Sequence, residues 1–234
     1  MKAIFSRELK AYFQTPLGAV FISILYFFTG YYFFTSNLFA GTADTSTLFS
    51  KLFSVVLFLI PILTMRLLSE EKRSKTEQLL LTAPVSRFEI VLGKYFAALI
   101  IYLIGISGTL LMGGLLSRFG NPDWPVILGN FFGLAILGAA VIAVCLFVSS
   151  LTESQVIAAV AGMAVSLLLI LIDAVRYVVT DKTMRTILSY LSFTDRYHGF
   201  TIGIIDLSNV LFFLSIAVWF LCLTVAVLER RRWN

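Results

Sequence analysis

Charge is scarce in this chain. Of its 234 residues, 13% are Asp, Glu, Lys or Arg, about half the share of a soluble domain. That shortage excludes an ordinary water-soluble enzyme and a disordered segment, both of which carry a charged surface. Cysteine is nearly absent. Cys145 and Cys222 both lie inside apolar runs, so neither a disulfide framework nor a thiolate metal site can be built from them. They read as small apolar filler. The single histidine, His198, sits in Asp195-Arg196-Tyr197-His198-Gly199, with no ligand pattern and no nucleophile beside it. The phosphate-loop pattern G-x-x-x-x-G-K-[ST] is missing too: Gly93-Lys94 is followed by Tyr95, and Phe88 stands where the first glycine belongs. No ATP-hydrolysing site of that kind is present.

What is abundant is grease. Hydrophobic residues make up 59% of the chain and the mean hydropathy is +0.94. Six apolar runs lie near 17–35, 48–68, 90–116, 126–149, 156–172 and 207–228. A helix needs about 20 residues to cross the hydrocarbon core. Five runs meet that length, and the fifth in order does so if it continues past Asp173 towards Val179. Backbone groups in lipid must pair within their own segment, so helices are expected. The runs lack the alternating polarity of barrel strands. The predicted fold is all-α: six transmembrane helices in a single domain, 1–234.

Before the first run, residues 2–14 place Ile4, Phe5, Leu9, Tyr12 and Phe13 at helical spacing, with Lys2, Arg7 and Lys10 elsewhere. This reads as an amphipathic helix lying in the membrane interface over 1–16, ended by Pro16. Mixed charge and the lack of a small-residue cleavage site argue against a removable signal, so the first span is expected to stay. Ser86 with Glu89 and Thr152 with Gln155 have capping-box spacing. Asp206 or Ser208 is placed to cap the last span, and 121–125 reads as a tight connection.

Net charge is +5, from 18 Lys+Arg against 13 Asp+Glu. The bases are spread between the runs, which indicates topology rather than a nucleic-acid surface. With six spans, both termini fall on one side. That side collects twelve Lys and Arg and the other six, which predicts cytoplasmic termini and a cytoplasmic tail at 229–234.

The richest polar stretch joins the second and third spans. It reads Glu70-Glu71-Lys72-Arg73-Ser74-Lys75-Thr76-Glu77-Gln78-Leu79-Leu80-Leu81-Thr82-Ala83-Pro84-Val85-Ser86, continued by Val91-Leu92-Gly93-Lys94-Tyr95. It resembles the first cytoplasmic loop of type 2 ABC permeases, with the closest likeness to the gliding-motility-associated branch. Ser74-Lys75 departs from that branch's Gly-Thr spacing. Arg7-Glu8-Leu9-Lys10-Ala11-Tyr12-Phe13 with Pro16 looks like the family's elbow helix. The segments 149–155 and 203–208 look like its second cytoplasmic turn and its approach to the last span.

The resemblance implies a permease subunit of an ATP-driven transporter, an exporter by family tendency, in a bacterial cytoplasmic (inner) membrane. Two permease subunits pair, as a homodimer or heterodimer, and separate ABC ATPase subunits bind ATP and Mg. No cofactor is expected in this chain, and no enzymatic activity. Glu70, Glu71, Lys72, Arg73, Thr76 and Glu77 are the implied ATPase-coupling residues.

Between the fifth and sixth runs, Met184, Ile187, Leu188 and Leu191 define one helix face. Short outer helices are expected between the fifth and sixth spans, the one with this face resting on the membrane or partly re-entering. The resemblance implies that such helices close the outer mouth. Asp173 and Arg176, three apart at the end of the fifth run, read either as a helix-end pair or as an outer gate. Small residues are frequent in the third to fifth runs, among them Gly129 and Gly133, and permit close helix approach. The first run is aromatic, which reads as lipid-facing bulk with interfacial anchors. No buried charge in the bilayer suggests an ion relay, which disfavours an ATP-independent carrier. The alternative to transport is a subunit that transmits force to an envelope partner and moves no solute.

Overall fold

The computed structural model describes residues 2–74, 86–120, 122–178 and 181–230. The helices are α1 (Lys2–Gln14), α2 (Pro16–Phe33), α3 (Ser46–Thr64), α4 (Ser69–Arg73), α5 (Arg87–Ile106), α6 (Gly108–Phe119), α7 (Trp124–Leu151), α8 (Gln155–Val178), α9 (Lys182–Leu191), α10 (Phe193–Thr201) and α11 (Leu207–Arg230). A π-helical turn, Phe34–Leu38, continues α2. No strand occurs among the described residues. Among the described residues six stretches are long and apolar enough to cross a membrane: Pro16–Leu38, Ser46–Arg73, Arg87–Arg118, Trp124–Leu151, Gln155–Val175 and Leu207–Arg230. These are the six predicted runs, and the fifth does extend past Asp173. The protein is a multi-pass, all-α membrane protein.

Helix ends follow local chemistry. Pro16 stands in the first turn of α2, where its missing N–H costs nothing. Ser86 Oγ accepts from Glu89 N at 3.3 Å and caps α5 as predicted. At α8 the expectation needs correction. The helix starts at Gln155, so Ser154, with its Oγ 3.5 Å from Ile157 N, stands at the cap in place of Thr152. Asp206 Oδ1 accepts from Ser208 N at 3.0 Å, which makes Asp206 the cap of α11.

The third run is not one helix. It breaks at Ser107, whose Oγ donates to Ile104 O at 2.6 Å. A hydroxyl that bonds a backbone carbonyl locally competes with the helical ladder. Tyr26 of α2 docks on the break, its hydroxyl donating to Ile104 O at 3.1 Å. Gly108 leaves room for its ring, since a Cβ there would lie 2.9 Å from Tyr26 Cδ1.

α7 is the central helix, packed by α3, α5, α6, α8, α10 and α11. In their most apolar stretches the second and fourth spans have two-thirds of their residues buried (67% each), against 22% in the fifth and sixth. The small residues set the spacing. A Cβ at Gly138 would lie 2.2 Å from the Tyr102 ring, and the Tyr102 hydroxyl donates to Leu134 O at 2.7 Å. A Cβ at Gly133 would lie 2.6 Å from Phe200, and one at Gly162 2.9 Å from Pro61. The first span is less lipid-facing than its composition suggests. Phe21 and Phe33 are buried in the bundle, while Phe27 and Phe34 are exposed. Aromatic content alone does not reveal which face of a helix a neighbour covers.

Candidate coupling site

α1 is held by one face. Ile4 and Tyr12 are buried. The Tyr12 hydroxyl donates to Leu63 O at the end of α3 at 2.8 Å. Gly93 of α5 lies against Ile4, so closely that a Cβ would sit 3.1 Å from Ile4 Cγ2. Arg66, just beyond α3, donates to Thr15 Oγ1 at 2.8 Å. The helix is therefore locked between the ends of the second and third spans.

Over that lock lies a group of four charges. Lys94 Nζ of α5 is 3.0 Å from Glu8 Oε1 and 2.9 Å from Glu71 Oε1. Arg7 Nη2 is 2.6 Å from each of the same two oxygens. Two cations alternate with two anions, one pair from α1, one residue from α4 and one from α5. The Lys94 side chain is 1% exposed, Glu8 12% and Glu71 14%. Burial raises the Glu8 carboxyl, but attraction to Lys94 and the hydrogen bond from Arg7 outweigh it and hold the group below the ordinary carboxylate range. Arg7, shielded by its own burial but paired to Glu8 and Glu71, is held firmly protonated. Desolvating an ion costs several kcal/mol, so such a cluster persists only while every charge keeps its partner.

The predicted loop residues take several positions. Glu71 belongs to the cluster. Glu70 Oε2 pairs with Arg66 Nε at 3.0 Å, one turn back. Lys72 Nζ reaches Glu153 Oε1 at 3.1 Å, across the turn between α7 and α8. Arg73 is exposed at the end of α4. Thr76 and Glu77 lie outside the described residues. The turn from α3 into α4 is fastened by Ser149 of α7. Its Oγ accepts from Ser69 N at 3.3 Å and Leu68 N at 3.4 Å and donates to Met65 O at 3.1 Å. α4 is thereby tied to α1, α5, α7 and the start of α8 at once. A cleft of about 280 Å³, bounded by Arg7, Glu8, Arg66, Glu70, Glu71 and Lys94, opens beside it.

The sequence reading missed Arg7, Glu8, Lys94, Ser149 and Glu153 as parts of one site. It counted Lys94 only among the charges on the side of the termini, whereas its side chain is buried and paired. Lys94 sits seven residues into α5, about 10 Å along the helix. A lone lysine there needs an anion, and Glu8, an acid on a basic helix, was the available signal.

The family assignment agrees with this architecture. The sequence model described as ABC-2 family transporter protein matches residues 35–228. The chain belongs to the ABC-2 transporter family. No curated protein matches it. As an ABC-2 permease it forms the transmembrane part of an ABC transporter, a class whose membrane subunits work with an ABC ATPase and typically dimerise.

At the far end of this permease, away from the termini, α10 turns into the bundle and buries Phe193, Tyr197 and Phe200. Asn130 of α7 meets it there. Asn130 Nδ2 donates to Val126 O at 2.8 Å and to Thr201 O at 3.3 Å, and the Tyr197 hydroxyl approaches Asn130 Oδ1 at 3.5 Å. The predicted short helices between the fifth and sixth spans are α9 and α10. Asp173 accepts from the hydroxyls of Ser192 and Thr194 and so ties α8 to the start of α10. The side chain of Arg176 lies outside the described residues. Among the described residues no group of three His, Cys, Asp or Glu side chains is placed to hold a metal.

Proposed function

We propose that this chain is the permease subunit of an ATP-driven exporter of the gliding-motility-associated kind, with both termini in the cytoplasm of a bacterial inner membrane. Two permease subunits and two separate ATPase subunits complete the machine. The ATPase grips the loop that begins at α4, including Glu70, Glu71, Lys72, Arg73, Thr76 and Glu77. The observation that carries this reading is the cluster of Arg7, Glu8, Glu71 and Lys94. A push on α4 cannot move Glu71 without either dragging Glu8 and Lys94 along or leaving buried charges unpaired. The second alternative costs about 3–5 kcal/mol, so α1 and the third span follow the loop. At the far end, α10 and the Asp173 contact form the outer closure that this motion releases, with Arg176 on the same helix end.

The test is substrate-independent. The permease and its ATPase, co-purified and reconstituted, are assayed for assembly and for the rate of ATP hydrolysis. E71K is expected to leave membrane insertion intact and to uncouple hydrolysis from the permease, and K94E combined with E71K to restore part of the coupling. Normal coupling after charge reversal of the whole 70–77 stretch would defeat the proposal. Intact coupling without ATP-dependent solute movement in vesicles would favour the force-transmitting alternative.

A further inference from the structure

The second helix of the third span carries a groove remote from the charge cluster. On α6, Leu111, Gly114, Leu115 and Arg118 recur at i, i+3, i+4 and i+7, so they share one face. These four residues line an open groove of about 580 Å³ on the outside of the bundle. Leu111 is 61% exposed and Leu115 49%. Gly114 forms a notch between them, where a Cβ would meet nothing within 4 Å. Its neighbour Gly113 differs, because a Cβ there would lie 3.1 Å from Ile127 of α7. Packing inside the chain accounts for Gly113. Glycine is a poor helix former, and nothing in the chain's own packing requires one at 114.

Arg118 stands at the polar end of the groove, in the last turn of α6, about 10 Å along the helix from Leu111. It is exposed. Among the described residues no carboxylate, hydroxyl or aromatic ring engages its guanidinium. Two other cations at this end of the bundle are engaged, Lys51 by Ser36 Oγ at 3.1 Å and Arg196 by Asn209 Oδ1 at 3.1 Å. Trp124, at the start of α7, reaches within 3.9 Å of the position a Gly113 Cβ would take. A tryptophan at the end of a span marks the headgroup level. The guanidinium therefore stands at the membrane–water boundary, and the leucines lie below it among acyl chains. A free cation above an apolar, notched stripe is complementary to an anion above a hydrocarbon chain. A guanidinium also takes a phosphate through paired N–H donors.

We propose that this groove holds one anionic phospholipid of the leaflet opposite the termini. Its phosphate rests on the Arg118 guanidinium, and an acyl chain runs along Leu115 and Leu111 over the Gly114 notch. A choline headgroup carries its own cation, which competes with Arg118 for the phosphate, whereas a glycerol headgroup does not. The site does not depend on the coupling described above.

The full-length chain, purified in detergent, is offered phosphatidylglycerol and phosphatidylcholine with identical acyl chains, and retained lipid is counted by native mass spectrometry. One basic residue at the headgroup level predicts about fivefold preference for the anionic lipid. R118Q should abolish that preference, and K51Q, which alters a cation that already has partners, should keep it. G114L fills the notch with Arg118 in place and should cut retention of both lipids. Gly114 faces open space and Arg118 is exposed, so both variants should fold, and thermal unfolding checks this. Wild-type lipid retention in R118Q or in G114L overturns the inference. Equal loss of preference in K51Q overturns it too, because the attraction would then be a diffuse property of the surface. So does a shifted monomer–dimer ratio in G114L with lipid retention unchanged, which would assign this face to a second copy of the chain.

Discussion

Replacing Lys94 with methionine isolates the charge cluster, because methionine matches the lysine stem and removes only the ammonium. In the wild-type chain Glu8 and Glu71 each have two cationic partners within 3.0 Å. In K94M only Arg7 remains, and its side chain is half exposed. Breaking a buried ion pair by removing one member costs about 3–5 kcal/mol. Partial access of water to Arg7 discounts that toward the lower end, about 3 kcal/mol. This energy sits at the seam between α1, α4 and α5, so it appears as detachment of α1 rather than as global unfolding. A loss of 3 kcal/mol corresponds to about a hundredfold change in the docking equilibrium. Hydrogen exchange of the α1 amides in the reconstituted protein reads it directly.

The pH dependence has a definite sign. Glu8 is held below its ordinary value, so its contribution is full above that value, 4.5, and is lost as pH falls through the lower folded value. Neutral conditions retain the whole effect. In K94M the attraction of Lys94 is gone while burial and the Arg7 pairing remain, so the carboxyl titrates higher than in the wild type. The gap between K94M and wild type is therefore largest near neutrality and closes in acid. The triple variant E8Q/E71Q/K94M, which leaves only the half-exposed, water-accessible Arg7 without an anionic partner, should recover most of the lost protection. Wild-type exchange rates in K94M at neutral pH, or a triple variant no better than K94M, would refute the view that these charges fasten α1 to α4 and α5.

Three further outcomes follow from the geometry. S149A removes the acceptor of Ser69 N and Leu68 N and should cost about 1–3 kcal/mol locally, seen as faster exchange at α4 and weakened coupling with unchanged expression. G138A drives a methyl into the Tyr102 ring and should destabilise by about 1–3 kcal/mol; thermal unfolding would show it, and Y102L added to G138A should relieve it. D173N keeps the shape but weakens acceptance from Ser192 and Thr194, so exchange at α10 should rise while α1 and α4 stay protected.

The expected fold and the expected site were not equally visible in the sequence. Six apolar runs of membrane-spanning length leave little choice of architecture, and Ser86 and Asp206 announce the helix starts they cap. Hydropathy reports length and polarity, and both are properties of one segment. The charge cluster is a property of three segments. Glu8, Glu71 and Lys94 are separated by 63 and 23 positions in the numbering of the chain, and nothing local to any of them names the others. The same limit explains the first span, where Phe21 and Phe27 are alike in sequence but the first faces the bundle and the second does not. It also explains α10, whose polar residues hide the buried face made by Phe193, Tyr197 and Phe200.

A charge inside an apolar run is still a one-sided equation that sequence can pose. Lys94 demands an anion, and topology narrows the candidates to acids on its own side of the membrane. Those near the first loop are Glu8, Glu70, Glu71, Glu77 and Glu89. Elbow packing decides among them. Once Ile4 rests on Gly93, Glu8, one helical turn further along α1, is brought over Lys94, one residue beyond Gly93. The glycine thus favours the ion pair by close approach, because a Cβ at that position would press on Ile4 Cγ2 at 3.1 Å and require it to give by a few tenths of an ångström. A small residue and a charged one, adjacent in sequence, together fix where an interfacial helix meets the bundle. The pair Gly93-Lys94 therefore marks the point at which the N-terminal helix and α4 are joined to the third span.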